Sequence, residues 1–293
     1  MQSRWHLAAR AAAVAGWLLL ATPASAQILT ENAGVISPET PIVREALSVL
    51  DADHLREVRW DHQLIFALDP TRELKLTVPL VWRDVEFATA GSIEDSDLAG
   101  LGDVSLRFKQ SLWQEDAVMA STRWAALAEV GAPTGEDDAT EHGAPIPRRL
   151  QLGTGDWSLG AGTAYTWIRD RQRFSAETLF RYRTRHEGLR LGETLDLNLA
   201  WWYRITPASF PPGEPPLEVR GVLELLASYR WPSESDGDQD DDGTLVWLAP
   251  GLQVYPSKTV LLEVALRAPI HQDLDDALGD RRWAGVLALK FLF

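Results

Sequence analysis

Cysteine is absent from the 293 residues, which removes thiolate nucleophiles, disulfide scaffolds, zinc ribbons and iron–sulfur clusters at once. Histidine is the next candidate acid, base or ligand. Downstream of residue 26 it occurs at His54, His62, His142, His186 and His271. None falls in an H-E-x-x-H spacing and no serine occupies a G-x-S-x-G elbow, so the usual frames for zinc and serine hydrolysis are missing. His62 sits on the apolar side of its segment and is the best candidate base, although a lone histidine at an interface is the plainer reading. No catalytic residue, metal ligand or cofactor is assigned. The glycines at 100, 102, 153, 155, 160 and 162 are not followed by helical periodicity, so they do not make a phosphate-binding loop. Acidic clusters occupy 94–97, 136–141, 234–242 and 273–280. Asp238, Asp240 and Asp242 before Gly243 copy the start of a calcium loop, but Ala249 stands where its bidentate glutamate belongs. Mutually repelling, solvated loops account for these clusters; bridging of divalent cations to anionic lipid is the alternative.

The remaining chemistry is charge at alternate positions. Assigned by alternation, one face of the chain collects fourteen basic and nine acidic side chains. Arg107, Lys109, Arg123, Arg181, Arg183 and Arg220 are its principal cations, with Glu177 and Glu224 opposite them. Arg107 and Arg123 fall near the middle of their segments. Enclosed by low-dielectric walls, such a face would line a channel with a modest preference for anions. The competing outcome is that opposed charges pair across strands and fill the interior.

Strands must position that face. In 73–82, Leu74, Leu76, Val78, Leu80 and Trp82 share one side, with Lys75 and Thr77 on the other. The same period of two recurs at 57–68, 103–112, 117–131, 157–168, 173–183, 193–204, 217–230, 244–255, 260–270 and 283–293, which makes eleven segments. Several are far longer than the roughly five or six residues usual in soluble sheets. Aromatics gather near segment ends, at Trp60, Trp82, Trp113, Trp157, Trp167, Trp231, Trp247, Trp283, Tyr203, Tyr229 and Tyr255, with Trp124 the mid-segment exception. Girdles of this kind suit two membrane interfaces. The fold expected is all-β: an antiparallel transmembrane β-barrel of about twelve strands.

Export agrees with this. Arg4 and Arg10, the apolar run 11–21 and Ala24-Ser25-Ala26 form a signal peptide over 1–26. The net charge of −14 argues against nucleic acid as a partner. Short turns at 69–72, 113–116, 169–172 and 256–259 alternate with long loops at 87–100, 132–156, 184–192, 231–243 and 271–282, which places the short ones in the periplasm; the proline-rich connection 207–216 breaks the rule once. Counting back from Phe293, the segment 57–68 runs inward, so something upstream must cross first. A strand within 42–54 is preferred; a luminal helix starting at Thr40-Pro41 is the alternative. Residues 27–56 are thus expected as a periplasmic segment with a possible first strand, and 57–293 as the barrel.

Several short motifs then occur in order. They are Gly100-Leu-Gly-Asp103 before a strand containing Lys109, Ala132-Pro-Thr-Gly135, Gly155-Asp-Trp157, Gly192-Glu-Thr-Leu195 and Leu248-Ala-Pro-Gly-Leu-Gln253. From about 57 to 293 they resemble the outer-membrane family known as the putative MetA-pathway of phenol degradation. The resemblance implies a channel of the Gram-negative outer membrane for small organic compounds, and the family name alone does not make phenol a substrate. Expected partners are outer-membrane lipids, small-molecule solutes and, through terminal Phe293, the barrel-assembly machinery. A filled structural or adhesion barrel and a lipid-modifying enzyme are the alternatives.

Overall fold

The computed structural model describes residues 28–88, 93–209, 217–234, 242–274 and 278–293. The signal segment, most of the proline-rich connection and the calcium-like Asp238 and Asp240 lie outside them. The chain forms β1 (Ile42–Ala52), β2 (Leu55–Asp69), β3 (Arg72–Ala88), β4 (Ile93–Leu101), β5 (Val104–Ala117) and β6 (Ala120–Ala132). After a small hairpin, β7 (Thr140–Glu141) and β8 (Ala144–Pro145), come β9 (Ser158–Arg169), β10 (Gln172–Arg183), β11 (Thr194–Thr206), β12 (Glu218–Arg230), β13 (Gly243–Tyr255), β14 (Val260–Leu274) and β15 (Arg281–Leu292). All pairings are antiparallel, and β1 closes on β15 from Ile42↔Leu292 onward. Because β4 and β5 lie end to end along β3, the wall is twelve strands around. Closure pairs both sides of every wall strand, which is the condition for crossing hydrocarbon. No described helix is long and apolar enough to cross a membrane; the crossing is made by strands.

Within 42–54 the upstream crossing is a strand, Ile42–Ala52, the preferred of the two expected forms, and not a luminal helix. Two boundaries differ from the sequence reading. The turn expected at 113–116 lies at Val118-Met119, where Met119 takes φ 57°, so β5 continues through Trp113. Trp113 then faces Trp124 across the ladder near the turn end, and Trp124 belongs to a girdle after all. The loop expected at 87–100 is largely strand, since the acidic run 94–97 is carried on β4 beyond the main wall, where water solvates it.

Side chains alternate as the pattern demands: Trp201 is 46% exposed and Trp202 only 2%. The outward face carries Leu106, Leu197, Leu252, Val264 and Leu287, the apolar belt of an outer-membrane barrel. Trp247 and Tyr255, expected in the girdles, are buried and point inward, because Leu248 and Leu252 take the outward positions of β13.

Candidate functional site: a lumen closed by two segments

Residues 28–36 do not hang into the periplasm as the sequence suggested. They lie inside the barrel, because the wall makes room for them. Ile28 packs on inward Ala46, Ala200, Ala265 and Ala288 with Trp202, Val222 and Val286. Ala33 rests on Ala125, Leu127 and Ala164, and Ile36 on Ile42 and Leu292. This floor belongs to no ladder, so its buried amides need side-chain acceptors. Leu29 and Thr30 N–H donate to Glu224 at 3.2 and 2.9 Å, Glu31 N–H to Glu177 at 2.9 Å, Ala33 N–H to Thr166 at 3.0 Å, and Ile36 N–H to Glu73 at 2.9 Å.

The Glu31 side chain continues this logic with charge. Its carboxylate meets Lys75, Lys109 at 2.8 Å and Arg107 at 3.3 Å. Arg107 also binds Glu129 at 2.7 Å and Glu177 at 3.0 Å. Lys109 binds Glu73 at 2.8 Å, and Arg181 joins Glu129 to Asp196.

Above the floor is a cavity of about 590 Å³, bordered by Lys75, Arg107, Glu129, Glu177, Arg181 and Arg183 among others. Arg183 reaches only the Thr154 hydroxyl, at 3.4 Å, and no carboxylate lies within ion-pair distance of it among the described residues. Of the eight expected lining residues, Arg107, Arg181, Arg183 and Glu177 face this cavity. Lys109 borders a smaller cavity of about 100 Å³ between the floor and the wall. Glu224 is under the floor, and Arg123 and Arg220 border neither cavity. Arg123 is near the turn end because β6 begins at Ala120, and it points to Asp116 at 3.6 Å. Arg220 binds Glu218 at 2.6 Å and lies over the Tyr255 ring, beside Arg173 stacked 4.3 Å from Trp202. Sequence reasoning missed Glu31, Glu73 and Arg44. Arg44 donates to Glu263 at 2.9 Å and to the Ile28 carbonyl. Together these three lower the expected cationic excess by one.

The roof of the cavity is the loop 133–157, folded into the mouth. Ile146 and Leu150 pack on Ala52, Leu55, Val85 and Phe87. Arg83 donates to the carbonyls of Arg149 and Gln151. Asp103 accepts from Gly135 N–H at 3.1 Å and from the N–H and hydroxyl of Thr154 at 2.9 and 2.8 Å. Gly135 and Gly153 touch through their backbones: a Cβ on Gly153 would stand 2.4 Å from the Gly135 carbonyl oxygen. Asp103 and Gly135, from the motifs that carried the resemblance, are therefore fasteners of the roof. Asp156 is buried beside Arg148, 4.0 Å away, with neither carboxylate oxygen hydrogen-bonded. Burial pushes its carboxyl up to about 6 against the pull of Arg183 and Arg148.

Among the described residues three histidines meet carboxylates. His62, on the outer wall, meets Glu45 at 2.7 Å and the Trp60 ring, and no hydroxyl hydrogen-bonds to it among the described residues. His186 meets Asp137 at 3.0 Å and His142 meets Glu94 at 3.1 Å, both at the loop end.

A family model described as "Putative MetA-pathway of phenol degradation" matches residues 50–213. The fold is similar to that of an outer membrane channel from Pseudomonas putida F1, at 13% identity over 91% of this chain and 100% of that one, with a TM-score of 0.66. At that identity the likeness is one of fold. The NanC porin matches at 8% identity over 86% of this chain and 98% of its own, with a TM-score of 0.46. No curated protein matches the sequence.

Proposed function

The chain belongs to the family described as "Putative MetA-pathway of phenol degradation", and from that premise we propose that it is an outer-membrane channel for small organic solutes. The observation that carries this reading is the polar cavity of about 590 Å³ inside the closed wall. It falls in the size range of sites for small molecules, and its lining is charged where a structural barrel would be packed solid. In this reading Arg107, Arg181, Arg183 and Glu177 face the solute, and the floor and roof are the two points at which passage is controlled. The loop end faces outward and the short turns face the periplasm. Phe293, whose N–H donates to the Pro41 carbonyl at 3.0 Å, presents the terminal aromatic to the assembly machinery.

Purified full-length protein in planar bilayers should give discrete conductance steps. Silence would favour a filled structural barrel, a reading supported by the ion pairs that occupy Arg107 and Lys109. Fatty-acid release from the lipid would favour an enzyme built on the lipid-facing Glu45 and His62 pair.

A further inference from the structure

Glu31 brings a carboxylate into the lumen on a segment that belongs to no strand, and three cations from β3 and β5 converge on it. Their dependence on it is unequal. If Glu31 withdrew, Arg107 would keep Glu129 and Glu177, and Lys109 would keep Glu73. Lys75 would keep no carboxylate partner among the described residues. Its side chain is only 19% exposed, so an unpaired ammonium there is costly. Withdrawal of the floor alone is therefore opposed, whereas exchange of one carboxylate for another is not. The position of Lys75 permits exchange, since it borders both the main cavity and the smaller one that contains Glu31. Leu29 forms an apolar patch on the same cavity surface.

We propose that Lys75, with Lys109 and Arg107 beside it, is a carboxylate-binding site in the lumen that Glu31 occupies as an internal stand-in, so that a small organic carboxylate entering the main cavity displaces the floor by exchange. The proposal names a solute class for the channel and rests on that reading for its physiological meaning, while the binding chemistry stands apart from transport. The basic trio is selective for anions, and the tethered glutamate makes it a site that is occupied until a competitor arrives.

The chain has no cysteine, so Ala33→Cys places a single thiol where the floor is buried against Ala125, Leu127 and Ala164. A water-soluble maleimide then reports departure of the floor in the detergent-solubilised full chain. Benzoate at about ten times its dissociation constant should raise the labelling rate about tenfold by mass action, and benzyl alcohol, the same ring without the charge, should leave it unchanged. Adding Lys75→Gln should abolish the response and Lys75→Arg should restore it, which separates loss of the cation from misfolding. Glu31→Gln should raise labelling without benzoate. Equal responses to benzoate and benzyl alcohol, no response to benzoate, or an undiminished response in Lys75→Gln would overturn the proposal. Because labelling requires no transport, a benzoate response in a protein that conducts nothing would refute the channel and keep the site, and conductance without a benzoate response would do the reverse.

Discussion

The floor and the roof of the cavity are both made of chain that is not part of the barrel wall, and both pack apolar side chains on it, yet they differ in what is added to that packing. The floor adds charge: backbone amides on Glu73, Glu177 and Glu224, and the Glu31 carboxylate on Lys75, Lys109 and Arg107. The roof adds a close backbone fit, Gly135 against Gly153, fastened by hydrogen bonds to Asp103. A shape contact between two particular backbones has no substitute. An ionic contact is chemically generic, and another molecule can offer the same group. The comparison therefore assigns exchange with a solute to the floor and not to the roof.

The strongest test of that contrast removes a wall cation that holds the floor. Lys109 is 2% exposed and lies between Glu31 and Glu73. Lys109→Met should cost about 3–5 kcal/mol, the usual penalty for stranding one side of a buried ion network, measured as a lowered urea midpoint in detergent. A wild-type midpoint would mean that the ion pairs of Lys109 contribute nothing to stability. On the roof, Gly153→Val should cost about 1–3 kcal/mol, because the overlap with Gly135 is with backbone and cannot relax. Limited proteolysis should then cut within 133–157 while the barrel stays folded. Wild-type resistance would show that the apolar cluster alone seats the loop.

Smaller effects sharpen the division. Arg183 borders the cavity with no carboxylate within ion-pair distance among the described residues, whereas Arg123 lies outside it near Asp116. Arg183→Gln should lower anion preference in reversal-potential measurements by on the order of 0.5 kcal/mol, and Arg123→Gln should shift it less; the opposite ranking would move the constriction below the floor. The last prediction concerns pH. In the closed roof the Asp156 carboxyl titrates at about 6, above the roughly 3.9 of a solvated aspartate. The closed loop thus holds its proton more tightly than the open one. Closure is favoured most below about pH 4, weakens as pH rises to 6 and is flat above that. Proteolysis of 133–157 should quicken across that interval in wild type and lose the trend in Asp156→Asn.

The wall was legible in the sequence because a period of two survives any detail of packing, and parity called for a crossing upstream of residue 57, which is β1. The floor was not. The wall side chains that accept its amides lie 37 to 195 residues away, and 28–40 shows neither strand nor helix periodicity. A signal existed nonetheless. Inward positions occupied by Ala46, Ala125, Ala164, Ala200, Ala265 and Ala288 interrupt a charged lining with side chains too small to fill a lumen, which implies that other chain fills it. Glu73 escaped notice because it opens β3 just ahead of the apolar alternation. The outward girdle was read too generously at Trp247 and Tyr255, since proximity to a strand end does not say which face a ring takes.

Only residues 37–41 join the floor to β1, with the Thr40 N–H folded back onto the Ser37 carbonyl at 3.0 Å. So short a leash confines Glu31 near its cations at an effective concentration of millimolar order. A free carboxylate must be abundant to compete, and it is lost again once it becomes scarce. Such a gate ignores traces, responds to plenty, and recloses without leaving the barrel.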